Sequence, residues 1–223
     1  MDYTPFIVTF KLAFFTTAIL FVIGIPLAYF ITFSKLRGKV IFESLMMLPI
    51  VLPPTVLGFY FLLFLGPDTA VGKYIDSVFG ISLAFSFEGI LLGSIIFCTP
   101  FMLSPIINGF RSIPKNLIES TKLLNKSKFN ALWYVYIPYI KKGILNGVLL
   151  TFAHTIGEFG LVLMIGGKMA ETNVVSVAIY DEMNGMNYDT VHVYAIIMLV
   201  ISFILILSLN LITRKKNQTG NIA

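Results

Sequence analysis

Two ionisable side chains stand inside an otherwise apolar run: Glu158, within Ile137–Ile165, and His154 four residues earlier. On an unbroken helix that spacing puts both on one face, the arrangement of a proton relay or of a polar lining along a pathway. An ionisable group at mid-membrane costs about 2.5–3.5 kcal/mol on insertion scales, so each needs a reason. Two roles stay open for Glu158. It lines a gate or pathway, or it is a hydrogen-bonded or protonated buried carboxyl that fixes helix register. A carboxylate repels anions, so no anion-binding role is assigned to it. Lys11, at similar depth in another apolar run, either pairs with Glu158 or extends to the interface on its long stem.

Other reactive chemistry is poorly represented. Gly166-Gly167-Lys168 resembles a phosphate loop only in its Gly-Lys string; it lacks the upstream Gly and the following Ser or Thr. His154 and His192 are far apart and have no nearby thiols or carboxylate clusters, so no metal site is expected. No His-Glu-x-x-His string and no paired nucleophile and base point to an intramembrane enzyme. Cys98 reads as a small apolar core residue. Among the prolines in or near apolar runs (Pro26, Pro49, Pro53, Pro54, Pro100, Pro105), the adjacent pair Pro53-Pro54 is the candidate for a mechanical bend. Gly58, Gly93, Gly109 and Gly147 are candidates for close helix approach.

The elements that must position these residues follow from composition. Of 223 residues, 57% are apolar and 12% charged, and mean hydropathy is +0.89. A soluble chain carries about twice that charge, so a soluble enzyme, a disordered chain and a disulfide scaffold are excluded. Five runs are long enough for a helix across a bilayer, roughly 20 residues: Phe6–Phe33, Met46–Leu65, Gly89–Phe110, Ile137–Ile165 and Val191–Ile212. The first lacks the basic lead and small-residue cleavage site of a signal peptide.

If the five runs alternate, thirteen of the sixteen basic residues fall on one side: Lys35, Arg37 and Lys39, seven between Arg111 and Lys142, and Arg214 to Lys216. Glu43 and Glu119 offset them, leaving +11 there against −6 elsewhere. The positive-inside rule then places the N-terminus outside and the C-terminus in the cytoplasm. The basic excess is an orientation signal, not a nucleic-acid patch. On the outer side, Gly66–Glu88 reads as turns, and 172–183 as a short helix or a loop.

The segment 111–138 is the most informative. Ser112 is a candidate N-cap with Pro114 in the first turn. Ile113, Leu117, Thr121 and Leu124 recur on one helical face, and Asn125 suits a left-handed helix end. Ser127 then caps a second short helix carrying Phe129, Leu132, Trp133 and Tyr136, which runs into Ile137-Pro138. Two short amphipathic helices joined by a tight turn form either a docking surface or a hairpin whose lysines touch anionic lipid.

Here the chain resembles a family. Glu119-Ser120-Thr121, then Asn125, then Ile137-Pro138 is similar to the EAA loop of ABC importer permeases. Leu48–Gly58, Gly80–Phe85, Gly157-Glu158-Phe159-Gly160 and Ala178-Ile179-Tyr180 resemble its molybdate-type branch. Ser120 and Thr121 replace two alanines and Asn125 replaces a glycine.

The resemblance implies an all-α integral membrane protein of the type I, MetI-like permease fold. It would have five transmembrane helices, a single permease domain over residues 1–213 and a cytoplasmic tail at 214–223. It also implies a homodimer, cytoplasmic ATP-binding cassette subunits that dock on the loop and use ATP and Mg, and an extracytoplasmic oxyanion-binding protein. The chain itself would bind no cofactor and sit in the cytoplasmic membrane of a prokaryote. Molybdate is the expected cargo, with tungstate or sulfate as alternatives. Coupling falls to Glu119, Ser120, Thr121, Asn125, Ile137 and Pro138. The pathway or gate candidates are His154, Gly157, Glu158, Phe159, Gly160, Pro53 and Pro54. A stand-alone proton-coupled transporter using His154 and Glu158 is disfavoured by the absence of an inverted repeat.

Overall fold

The structure, a computed structural model, describes residues 2–34, 37–124 and 127–214. Asn125, Lys35, Lys126, Lys215 and Lys216 lie outside the described residues. Among those described, the chain is helical throughout, with no strand.

Three helices are long and apolar enough to cross a membrane: α1 (Thr4–Phe33), α5 (Phe87–Arg111) and α11 (Tyr188–Arg214); each of two bent pairs makes up one more span if counted together. α5 is the hub. Over half of its apolar window, 56%, is buried, so it is wrapped by protein on most sides. One side of α1 meets it through a stripe spaced by four residues (Val8, Leu12, Thr16, Leu20, Gly24, Ala28), the ridge that such helices interlock. α8 (Ile137–Ile156) packs against both α5 and α1, held close to α5 by glycines. A Cβ at Gly147 would stand 2.7 Å from the Met102 carbonyl oxygen, and one at Gly143 2.6 Å from that of Pro105. By contrast only 6% of the α11 window is buried, so this helix presents its apolar surface to lipid or to another chain.

The second apolar run is not one straight span. It divides into α2 (Lys39–Val51) and α3 (Pro54–Leu65), bent by 112°. Pro53 and Pro54 both lack an N–H, and a proline forces the residue before it out of the helical region. Leu52 and Pro53 accordingly have ψ of 135° and 133°. Twelve residues of α3 rise only about 18 Å, short of a hydrocarbon core about 30 Å thick.

The fourth run is broken likewise. α8 stops at Ile156, and α9 (Gly160–Gly166) leaves at 60°.

Two further elements lie between the apolar runs. Where turns alone are expected, α4 (Ala70–Phe79) forms, capped by the Thr69 hydroxyl on the Gly72 N–H at 2.9 Å and ended by Gly80 at φ +66°. The expected short helix is α10 (Val175–Asn184), pinned to α1 where the Thr9 hydroxyl accepts from the Val175 N–H at 2.9 Å.

In the segment 111–138, α6 (Lys115–Leu123) is preceded by Pro114 as its cap residue. Ser112 instead ends α5: its N–H donates to the Asn108 carbonyl at 3.0 Å. Ser127 does cap α7 (Lys128–Ala131), accepting from the Asn130 N–H at 3.2 Å, and a π-helical turn over Leu132–Tyr136 leads into α8.

Candidate coupling loop and paired helix breaks

Within the loop, side chains divide between an inner and an outer face. Thr121 is buried, its hydroxyl 3.0 Å from the Tyr136 hydroxyl and donating to the Ile118 carbonyl at 2.7 Å. Glu119 and Ser120 are exposed. The expected apolar face is only partly realised: Ile113 is buried and Leu117 half-buried, but Leu124 is exposed. The helix ends at Leu123, so Leu124 no longer follows its face. Leu123, Leu124, Phe129, Trp133 and Tyr134 thus form an uncovered apolar surface. Ile137 packs on the core, while Pro138 is exposed.

Tyr136 is the member of this loop that sequence reasoning underrated. Its ring stacks on Phe33 at 5.6 Å and on Tyr29 at 6.3 Å, and Tyr29 and Phe33 both contact Phe110 edge-on. The loop is therefore fastened to the C-terminal ends of α1 and α5. The sequence signal is present, as aromatics clustered where three apolar runs end, but nothing in one dimension says they meet. A second fastening links α5 to α2: Arg111 Nη2 donates to both carboxylate oxygens of Glu43, at 2.7 and 2.8 Å.

The other candidate residues converge at the two breaks. Gly160 opens α9 directly against the start of α3: a Cβ there would lie 3.0 Å from Thr55 Cγ2 and 3.4 Å from Pro54 Cβ. One turn on, a Cβ at Gly58 would lie 2.7 Å from Met164 Cβ. The bend at Pro53-Pro54 and the bend at Gly157–Phe159 thus pack on one another. Phe159 turns toward α10, its ring 5.3 Å from Tyr180. Gly157 and Pro53 are exposed.

Glu158 sits in the bend and is 5% exposed. Ser94 of α5 donates to its Oε2 at 3.1 Å, while Oε1 has no hydrogen-bond partner. Its backbone carbonyl accepts from the Ser176 hydroxyl of α10 at 2.5 Å. One residue thereby ties the bend to two other elements.

The expected His154–Glu158 face does not form. α8 ends between them, so the four-residue helical relation lapses. The His154 ring stacks on Phe101 at 3.9 Å and lies 5.2 Å from Phe97, with Nε2 unpartnered. Lys11 does not reach Glu158 either; its Nζ lies over the Phe87 ring, 4.2 Å from the centroid. Lys168 of the Gly-Gly-Lys string is paired with Asp181. Buried Cys98 lies 3.3 Å from the Thr155 hydroxyl. Among the described residues no three His, Cys, Asp or Glu side chains gather as a metal would require.

With this geometry in view, residues 7–218 match the family described as binding-protein-dependent transport system inner membrane component. The chain belongs to that family. It is 36% identical to the molybdenum transport system permease of Azotobacter vinelandii, over 90% of this chain and 89% of that one. With the permease of the same description from Haemophilus influenzae it shares 31%, over 90% and 91%. A sulfate transport system permease of Synechocystis is 26% identical, over 90% of this chain and 70% of its relative.

Two solved structures share the fold. One is the methionine ABC transporter MetNI in inward-facing conformations, with TM-score 0.70, 16% identity, and 96% and 93% of the two chains covered. The other is a bacterial alginate ABC transporter in complex with its alginate-loaded periplasmic protein, with TM-score 0.73, 18% identity, and 95% and 79% covered. This family member is thus an ABC importer permease, a multi-pass inner-membrane protein of all-α, MetI-like fold.

Proposed function

We propose that this permease carries molybdate inward as the channel-forming subunit of an ATP-driven importer. The observation that carries the substrate reading is its end-to-end similarity to the molybdenum transport permease of Azotobacter vinelandii. In this reading two copies assemble, a cytoplasmic ATPase subunit supplies the hydrolysis with ATP and Mg, and an extracytoplasmic binding protein delivers the oxyanion. The termini take the sides that the basic residues indicate, with five membrane crossings of which two are bent.

The geometry suits transmission. The ATPase would grip the outer face of the loop around Glu119, Ser120 and the exposed Leu123, Leu124, Phe129 and Trp133. Movement there passes through Thr121 and Tyr136 to the ends of α1 and α5. The gate belongs to the paired bends, where small residues let two broken helices slide. Selectivity rests mainly on the binding protein, because a pathway that opens to both sides in turn gains nothing from holding its cargo tightly.

The similarity to a sulfate permease supports sulfate as a second reading, and tungstate shares the geometry and charge of molybdate. Uptake of labelled molybdate into vesicles bearing the permease with its ATPase and binding protein, challenged with excess tungstate or sulfate, separates them. Molybdate uptake should require ATP and be abolished by Glu119→Lys without loss of membrane insertion. No ATP-dependent uptake of labelled molybdate, with labelled sulfate taken up by the same vesicles, would overturn the substrate; ATP-independent uptake would overturn the importer.

A further inference from the structure

The aromatic cluster beneath the loop has an open flank. A cavity of about 620 Å³ lies between the cytoplasmic end of α1 and the α6–α7 hairpin, its walls including Phe30, Ser34, Ile118, Lys122, Lys128 and Tyr136. Beside it, between the ends of α1 and α2, runs a narrower furrow of about 240 Å³ lined by Phe30, Ile31, Ser34, Gly38, Lys39 and Phe42. Phe30 and Ser34 belong to both, so the two hollows meet there.

Their chemistries are complementary. The furrow is almost wholly apolar and opens beside exposed Phe30 and Phe42, while the cavity brings two lysines and no carboxylate. Among the described residues the ion pairs are Arg111–Glu43 and Lys168–Asp181, so Lys122 and Lys128 keep their charge uncompensated. Lys39, in the wall of the furrow, donates one N–H to the Thr32 carbonyl at 2.9 Å, which leaves an ammonium two further donors. All three lysines lie on the basic, cytoplasmic face.

The geometry points to an anionic phospholipid bound here, its acyl chain along the Phe30–Phe42 furrow and its phosphate between Lys122 and Lys128. A free phosphate has no use for the furrow, and a zwitterionic lipid gains little from the lysines; basic pockets at the cytoplasmic end of membrane helices select anionic headgroups. The ligand would touch Tyr136, whose hydroxyl meets Thr121 of the loop, so headgroup charge bears directly on the stance of the coupling helices.

Native mass spectrometry of the full chain in detergent, titrated with phosphatidylglycerol or phosphatidylcholine, tests this. Phosphatidylglycerol should be retained preferentially, and each of Lys122→Gln and Lys128→Gln should weaken that preference roughly fivefold. Lys141→Gln with Lys142→Gln, on the same face but outside the cavity, should leave it unchanged. Gly38→Phe fills the furrow from a position whose Cβ meets open space; it should reduce lipid retention with both cavity lysines intact. Equal retention of the two lipids overturns the site. So does equal loss in the Lys141/Lys142 pair, which would mean generic surface charge. Displacement of the lipid by inorganic phosphate, with Gly38→Phe without effect, would mean a headgroup-sized anion site and no lipid.

Discussion

Glu158 ties the α8–α9 bend to two neighbouring elements. Its carboxyl receives the Ser94 hydroxyl and its carbonyl the Ser176 hydroxyl, so it joins α5, the α8–α9 bend and α10. Removing one partner of a buried hydrogen bond leaves the other without compensation, at about 1–3 kcal/mol. Glu158→Ala should therefore lower thermal stability in detergent by an amount in that range. Ser94→Ala added to it should cost little more, because both changes break one bond; Glu158→Gln should retain most of the stability. Additive losses in the double variant would show that the Ser94 bond is not what Glu158 contributes. That an acid in this apolar run mattered was readable from its insertion cost. Its partner was not, because Ser94 lies 64 residues away in a run where nothing marks it out from Thr99 and Ser104.

The two bent spans form a single mechanical element. Pro53-Pro54 breaks one run and Gly157–Phe159 the other, and Gly160 lets α9 sit against Pro54 and Thr55 without a side chain between them. If this contact moves during transport, fixing it should stop transport. Thr55→Cys combined with Gly160→Cys should cross-link under mild oxidant and arrest uptake, with recovery on reduction. The chain has one native cysteine, Cys98, and it is buried, so the readout is clean. Undiminished uptake by the cross-linked protein would remove the bends from the gate. Two prolines in succession announced a bend in the sequence. The contact with the second bend did not show there, since the segments are separated by about a hundred residues of chain. Nor did the end of α8 at Ile156, which dissolved the expected His154–Glu158 face: an apolar run reads the same whether its helix continues or turns.

For the molecule as a whole, charge and exposure set how it sits in a bilayer. One end of the helix bundle holds the loop, the Arg111–Glu43 pair and the aromatic cluster, and α11 leaves its apolar surface free for lipid or a second copy. The charge distribution requires that Asp68 and Asn116 lie on opposite sides. In sealed right-side-out vesicles, Asp68→Cys should react with an impermeant thiol reagent, and Asn116→Cys only after permeabilisation. The reverse pattern would invert the topology, and labelling of both from one side would mean an even number of crossings between them.

Membrane class and permease family were both legible from the chain alone. Hydropathy and charge act residue by residue against bilayer and water, and their sums survive without knowledge of contacts. Tertiary structure decided which polar groups satisfy one another: Ser94 with Glu158, Thr121 with Tyr136, and Thr9 with the Val175 N–H across 166 residues. It also decided that two broken helices meet at their bends, and that a basic cavity opens beside an apolar furrow. Those outcomes depend on which faces pack together, and in spans that are apolar on every side the hydrophobic pattern does not distinguish one face from another.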